Sequence, residues 1–199
     1  DQRLADSVKD VAAFSVIWVI NAAGDCVAAS NADTRESFVG TNYADRDYFK
    51  AGREGRQGNQ FAVGRISGIP GLFFSAPVHM HAIFHGVVAV KIDLPFLSSW
   101  INQSNAFLTD PYGVVILSRN KELEMTAMPG GQVVQLTKEQ RKARYRKEII
   151  PELPITPWVL PPHTELVRLP GQKNAFLLAS QEIPGEDLTL KVLQPVPQV

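Results

Sequence analysis

Lys91 lies in Gly86-Val-Val-Ala-Val-Lys-Ile-Asp93, a strand-like run whose side chains alternate between two faces. Val87, Ala89 and Lys91 fall on one face, Val88, Val90 and Ile92 on the other. Both faces are apolar, the pattern of a strand covered on both sides. Lysine is almost never fully buried unless it is paired. Lys91 therefore either snorkels its amine to water or a nearby acid, or lines a pocket that takes an anion. Arg46, in Thr41-Asn-Tyr-Ala-Asp-Arg-Asp-Tyr-Phe49, carries a planar fork suited to holding a carboxylate by two bonds. Its neighbours Asp45 and Asp47 offer a plainer use, a local surface ion pair worth under ~1 kcal/mol. Tyr43 and Tyr48 can add phenol donors or simply pack. Arg65 and Ser67 share one face of a strand ending in a turn, and Phe73 and Ser75 share a face of the next. Ser75 sits in an apolar run and needs a hydrogen-bond partner if buried, which backbone can supply.

Three histidines, His79, His81 and His85, gather around an expected hairpin tip. Their spacing places His79 and His81 on one strand face, a geometry a metal could use. No cysteine or carboxylate nearby completes a ligand set. Gly64-Arg-Ile-Ser-Gly68 sets its serine one place away from its position in a nucleophile elbow. Phosphate-binding glycine loops and the H-E-x-x-H zinc motif are missing. No catalytic residue, metal or cofactor is assigned on these grounds. A freestanding hydrolase or metal-dependent enzyme built on Ser75 and the histidines is the rival reading from another class.

The elements that would position these residues follow from hydrophobic period and turn chemistry. Residues 1–14 repeat apolar positions near the helical period, through Leu4, Val8, Val11 and Ala12. Ser15–Ile20 and Asp25–Ser30 read as a hairpin around Asn21-Ala-Ala-Gly24. Asp45–Gly52 reads as one or two helical turns, and strands are expected at Gln60–Ile66, Leu72–Val78 and Phe84–Asp93. The Ser67-Gly-Ile-Pro-Gly71 segment is strong turn chemistry between the first two. A five-stranded antiparallel sheet flanked by helices results. Leu94–Asn102 reads as a short amphipathic helix, and the pattern then restarts with a hairpin around Asp110-Pro-Tyr-Gly113. Lys138–Ile149 is a charged helix, and Val167–Leu169, Ala175–Ile183 and Leu188–Leu193 are strands. The repeated opening points to two related modules, 15–93 and 105–199, joined through 94–104.

Composition bounds the function. The 20 basic and 20 acidic residues cancel and are spread along the chain, with no basic stripe for nucleic acid and no basic amphipathic helix for a membrane surface. No apolar run reaches the ~18 residues that span a bilayer, and no signal peptide opens the chain. Its abrupt helical start and strand-like end are those expected of a segment of a longer protein. The single cysteine, Cys26, forms no internal disulfide and leaves the compartment open.

Several motifs occur together in a familiar order. Ala29-Ser-Asn31, Ser37-Phe-Val-Gly40, Asn42-Tyr-Ala-Asp-Arg-Asp-Tyr-Phe49, Phe61-Ala-Val-Gly64, Ser67 and Pro70-Gly71 are followed by Phe73-Phe-Ser-Ala-Pro-Val78 and Gly86-Val-Val-Ala-Val-Lys-Ile-Asp-Leu94. Trp100 and Leu108-Thr-Asp-Pro-Tyr-Gly-Val-Val115 continue the series. This set resembles the periplasmic double Cache (tandem PAS-like) region of bacterial C4-dicarboxylate sensor histidine kinases, densely over 15–118 and thinly beyond.

The resemblance implies an α+β fold, with a long N-terminal helix carrying two PAS-like modules, each an antiparallel sheet of about five strands. The membrane-distal module would bind a small anionic ligand, a carboxylate held by Arg46 and Lys91. Tyr43, Arg65, Ser67, Phe73 and Ser75 would lie at the same pocket. The parent would be a periplasm-facing inner-membrane protein, with a weak homodimer through the N-terminal helix. Its output would be a histidine kinase, or alternatively a chemoreceptor or diguanylate cyclase. Arg65 stands where the resembling family carries a small hydroxyl residue, and Leu72 where it carries an aromatic. These departures leave the ligand's charge and size open, with C4-dicarboxylates the first choice.

Overall fold

The computed structural model describes residues 3, 4, 6, 16–97, 101, 105–158 and 166–196, with backbone alone for 95 and 96. The chain divides into two compact units, Asp1–Phe96 and Leu97–Val199. The helix expected over 1–14, with the dimer contact assigned to it, falls outside the described residues except at 3, 4 and 6. Of the connecting helix expected over 94–104, Leu94–Leu97 is described as helical, and Trp100 is outside.

In the first unit, β1 (Val16–Asn21), β2 (Cys26–Ala29), β3 (Gly58–Val63), β4 (Pro70–Met80) and β5 (Ile83–Asp93) form one antiparallel sheet. Their order is β2-β1-β5-β4-β3. The short helix α1 (Asp47–Arg53) packs on one face. Register fixes what that face carries. Trp18 opposes Ala89, Lys91 opposes both Val16 and Phe73, and Phe73 opposes Gln60. With a period of two, Trp18, Ile20, Val87, Ala89, Lys91, Phe73 and Ser75 point the same way. Trp18, Phe73, Val87 and Ala89 are core members there, with Tyr43, Tyr48, Phe49 and Phe38 packed over them. The other face of β5 is only half-buried at Val88, Val90 and Ile92 among the described residues, less covered than its apolar pattern suggested.

Two glycines bring α1 down onto the sheet. A Cβ on Gly52 would lie 2.3 Å from a Val87 methyl, and one on Gly58 2.6 Å from the Tyr48 carbonyl oxygen. Any side chain at either position would lift the helix and everything it carries.

The second unit has six strands: β6 (Ala106–Thr109), β7 (Val115–Ser118), β8 (Thr156–Pro157), β9 (Leu166–Arg168), β10 (Phe176–Glu182) and β11 (Thr189–Pro195). Their order, β7-β6-β11-β10-β9-β8, repeats that of the first sheet, with the two-residue β8 added at one edge. In both units the first strand of the opening hairpin pairs with the last strand of the unit. The repeat visible in the hairpins is therefore a repeat of topology.

Two expected elements differ. The charged helix, α2, spans Lys138–Tyr145 and stops four residues earlier than its charge pattern suggested. Arg146 adopts a left-handed conformation (φ 57°), and Arg141 donates to the carbonyls of Leu136 and Glu148, tying the chain back on itself. At the β4–β5 tip, His81 and Ala82 form a two-residue turn with φ of 50° and 63°. His81 thus leaves the strand and shares no face with His79, whose ring instead meets Phe84.

Candidate functional site

Lys91 comes from the middle of the packed face of β5 and is 2% exposed. Its stem runs over Gly71, where a Cβ would lie 2.7 Å from the lysine Cε, so glycine leaves the channel the side chain occupies. The Nζ sits 2.5 Å from Asp93 Oδ1 and 3.5 Å from Ser67 Oγ, and 6.0 Å from the centre of the Phe73 ring. Asp93 is one-third exposed, so the pair joins a buried cation to an acid that water can reach. The contacts show the paired alternative for Lys91, an amine that meets an acid.

Arg46 is placed by the loop that enters α1, at the residue preceding the first helical turn. Its side chain is 4% exposed, and Nη2 donates to the Val63 carbonyl at 3.3 Å. Burial pushes the Arg46 pKa down, with the nearby Tyr48 hydroxyl and Asp45 acting in the opposite direction. Of the two acids beside it in sequence, Asp47 pairs with Lys50 and Asp45 with Arg65. The α1 entry is held by Gln60, whose Oε1 accepts from Asp47 N at 3.0 Å. Ser75 supports it as well, donating from Oγ to the Tyr48 carbonyl at 2.7 Å.

Aromatic rings surround these cations. Tyr48 stacks on Phe73 with centroids 5.8 Å apart, and Trp18 meets both edge-on at 6.1 and 6.0 Å. Phe38 and Tyr43 close the other side of the indole. Burial raises the Tyr43 pKa to about 12 and that of Tyr48 further, so both phenols keep their protons and stay donors at neutral pH. Trp18 Nε1 and Tyr48 Oη are buried and donate to no protein atom among the described residues. A buried donor left unmade costs about 1–3 kcal/mol, which a ligand acceptor would recover. Trp18 was missed by sequence reasoning. The available signal was an indole in the strand-like run Ser15–Ile20, and register sets it opposite Ala89, on the face that carries Lys91.

The segment 41–46 crosses over this face. It is anchored at one end on the β1–β2 hairpin, where Tyr43 N donates to the Gly24 carbonyl at 2.7 Å and Asn42 Nδ2 to Asp25 Oδ1 at 2.8 Å. From the β3–β4 turn Arg65 reaches the same segment, donating to both Asp45 oxygens at 2.8 and 2.6 Å and to the Asn42 carbonyl at 2.6 Å. Its guanidinium also lies 5.6 Å from the Tyr43 ring centre. All seven residues singled out from the sequence thus lie on or over one sheet face. Ser75 serves α1, and Arg65 serves the overlying loop. The hydrolase constellation does not assemble: Ser75 is used by backbone, and His79 is four residues along β4, about 13 Å away at the rise of a strand. Among the described residues no group of three His, Cys, Asp or Glu side chains could hold a metal.

Comparison with known proteins gives a consistent set of relatives. The chain is 33% identical over 118 residues to the C4-dicarboxylate transport sensor protein DctB of Rhizobium meliloti, covering 58% of this chain and 19% of that protein. It is 29% identical over 197 residues to the protein of the same name from Pseudomonas aeruginosa, covering 98% and 29%. It spans less than a third of the length of either. The crystal structure of the V. cholerae histidine kinase DctB sensor domain superimposes with a TM-score of 0.81 at 27% identity, covering 99% of this chain and 78% of that one. No family model matches the chain. The chain is homologous to the DctB sensor region and has its Cache-type fold of two antiparallel sheets, and it is an extracytoplasmic ligand-sensing domain.

Proposed function

From homology to the DctB sensor domain, we propose that this chain is the ligand-sensing part of a membrane-anchored two-component histidine kinase. Its ligand is a small carboxylate of the C4-dicarboxylate type, bound in the first unit, the membrane-distal one. One observation carries the ligand class: two fully buried cations, Arg46 and Lys91, stand with two unpartnered buried donors, Tyr48 Oη and Trp18 Nε1, against stacked rings. Buried cations beside unpartnered buried donors suit a compact anion with several acceptor oxygens. The aromatic walls exclude water and strengthen each charged contact.

Succinate binding tests the reading. At a hundred times its dissociation constant, succinate should stabilise the fold by ~2.7 kcal/mol, read as a rise in melting temperature. Aspartate, whose ammonium would face Arg46 and Lys91, should bind at least about tenfold more weakly, a difference of ~1.4 kcal/mol. A chain that ignores succinate, fumarate, malate and smaller carboxylates alike would not have the function proposed. Tyr48→Phe keeps the stack on Phe73 and removes the unpartnered hydroxyl. It should weaken succinate about tenfold while leaving the ligand-free protein as stable or more so, because a buried polar atom without a partner is gone. Isothermal titration of the two proteins measures this directly.

A further inference from the structure

Arg65 is the cation that departs from the resembling family, and its surroundings identify a different task from that of Arg46 and Lys91. Its side chain is 33% exposed, where theirs are sealed. Its guanidinium donates to the 42–45 segment three times, to both oxygens of Asp45 and to the carbonyl of Asn42. The residues it joins are 20 and 23 positions away in the chain. That segment carries Tyr43 and leads to Arg46, while the turn bearing Arg65 also carries Ser67, which meets Lys91 Nζ. Sheet order puts the two anchors of the segment at opposite edges, the β1–β2 hairpin on one side and the β3–β4 turn on the other. Fastened at both edges, the segment is a roof across the buried face.

We infer that Arg65 is a positioning residue that latches this roof through Asp45, and that it sets how long a carboxylate stays bound without touching it. The inference rests on the first unit being the carboxylate site. A planar fork held by two carboxylate oxygens and a carbonyl resists sliding, where a lysine would swivel. Release of the ligand requires the roof to lift, so the latch acts on the dissociation rate.

The test compares Arg65→Met, Asp45→Ala, the double variant and the charge exchange Asp45→Arg with Arg65→Asp. In the ligand-free protein, the amides of Tyr43 and Arg46 should exchange with solvent about five to ten times faster in either single variant. Succinate should dissociate faster by a similar factor in each. The double variant should be no worse than either single one, because one contact has been removed twice, and the exchanged pair should recover part of the loss. The opposite outcome is equally distinct. Were Arg65 a ligand-touching cation, Asp45→Ala would remove a competing acid and tighten succinate while Arg65→Met weakened it, and the latch would be refuted. Unchanged amide exchange in both single variants also refutes it. The exchange measurement needs no ligand, so failure of succinate to bind the unaltered chain sinks the carboxylate reading and leaves the latch to be judged on its own.

Discussion

Lys91→Met is expected to weaken succinate binding about a hundredfold, the larger of the two ligand effects argued for this domain. A charge-assisted contact to a carboxylate in a site closed to water is worth roughly 2–3 kcal/mol, which corresponds to about 30–150-fold in affinity. Methionine keeps most of the stem that fills the channel over Gly71, so packing changes little. The charge left behind, Asp93, is one-third exposed and can turn to water, so the ligand-free protein should lose little stability. Arg46→Met should show a loss of similar size, with the added loss of its bond to the Val63 carbonyl. Titration calorimetry on both variants, with melting temperatures of the ligand-free proteins alongside, separates a binding defect from a folding one. Normal succinate affinity in both folded variants would mean the site lies elsewhere.

The pair with Asp93 adds a consequence. In the ligand-free protein the Lys91 ammonium is neutralised by an acid at the rim of the site, so an arriving carboxylate competes with Asp93 for the same Nζ. Only the difference between the two partnerships contributes to binding, and a state in which Lys91 has changed partner can bias the packing of β5. If the proposed carboxylate binds at Lys91, an exchange of anions on one lysine would be the local event from which a conformational signal starts.

Much of this was legible beforehand because the informative residues lie on strands. Strict alternation in β5 exposed Lys91 as a cation on an apolar face, and the turn chemistry around Gly68 and Gly71 located β3 and β4. The contacts that decide roles were not legible, since they join distant segments. Asp45 and Asp47 looked equally able to neutralise Arg46, and only the fold shows Asp45 turned to Arg65 across 20 residues. Ser75 looked like a ligand group, yet its nearest acceptor is the Tyr48 carbonyl, brought close by Gly58. Spacing alone placed His79 and His81 together, and a left-handed turn at His81 parts them. The early end of the charged helix depends on Arg146, whose positive φ no side-chain pattern announces.

The second large effect is on stability, and it belongs to the second unit. Asp110→Ala should destabilise that unit by about 2–4 kcal/mol, seen as a roughly 30–1000-fold faster exchange of the most protected amides of β6, β7 and β11. Asp110 is buried, and its Oδ1 accepts from the amides of Tyr112 at 3.0 Å and Val114 at 2.9 Å, which shapes the β6–β7 turn. Its Oδ2 accepts from the Tyr145 hydroxyl at 2.5 Å, which ties the end of the charged helix to that turn. Alanine leaves three donors without their acceptor, two of them on backbone that cannot move away. Tyr145→Phe removes one of the three bonds and should cost about 1–2 kcal/mol. Burial raises the Asp110 pKa above its ordinary value, its hydrogen bonds to Tyr145 and Val114 opposing the shift. A raised carboxyl pKa means that the folded state holds the proton more tightly than the unfolded one. Its contribution is fully present below the unfolded value and is lost as pH rises through the folded one. Asp110→Asn keeps an acceptor for the two amides and has no proton to lose, so its exchange rates should lack that pH dependence. A variant whose pH profile matched the unaltered chain would show that another group carries the titration.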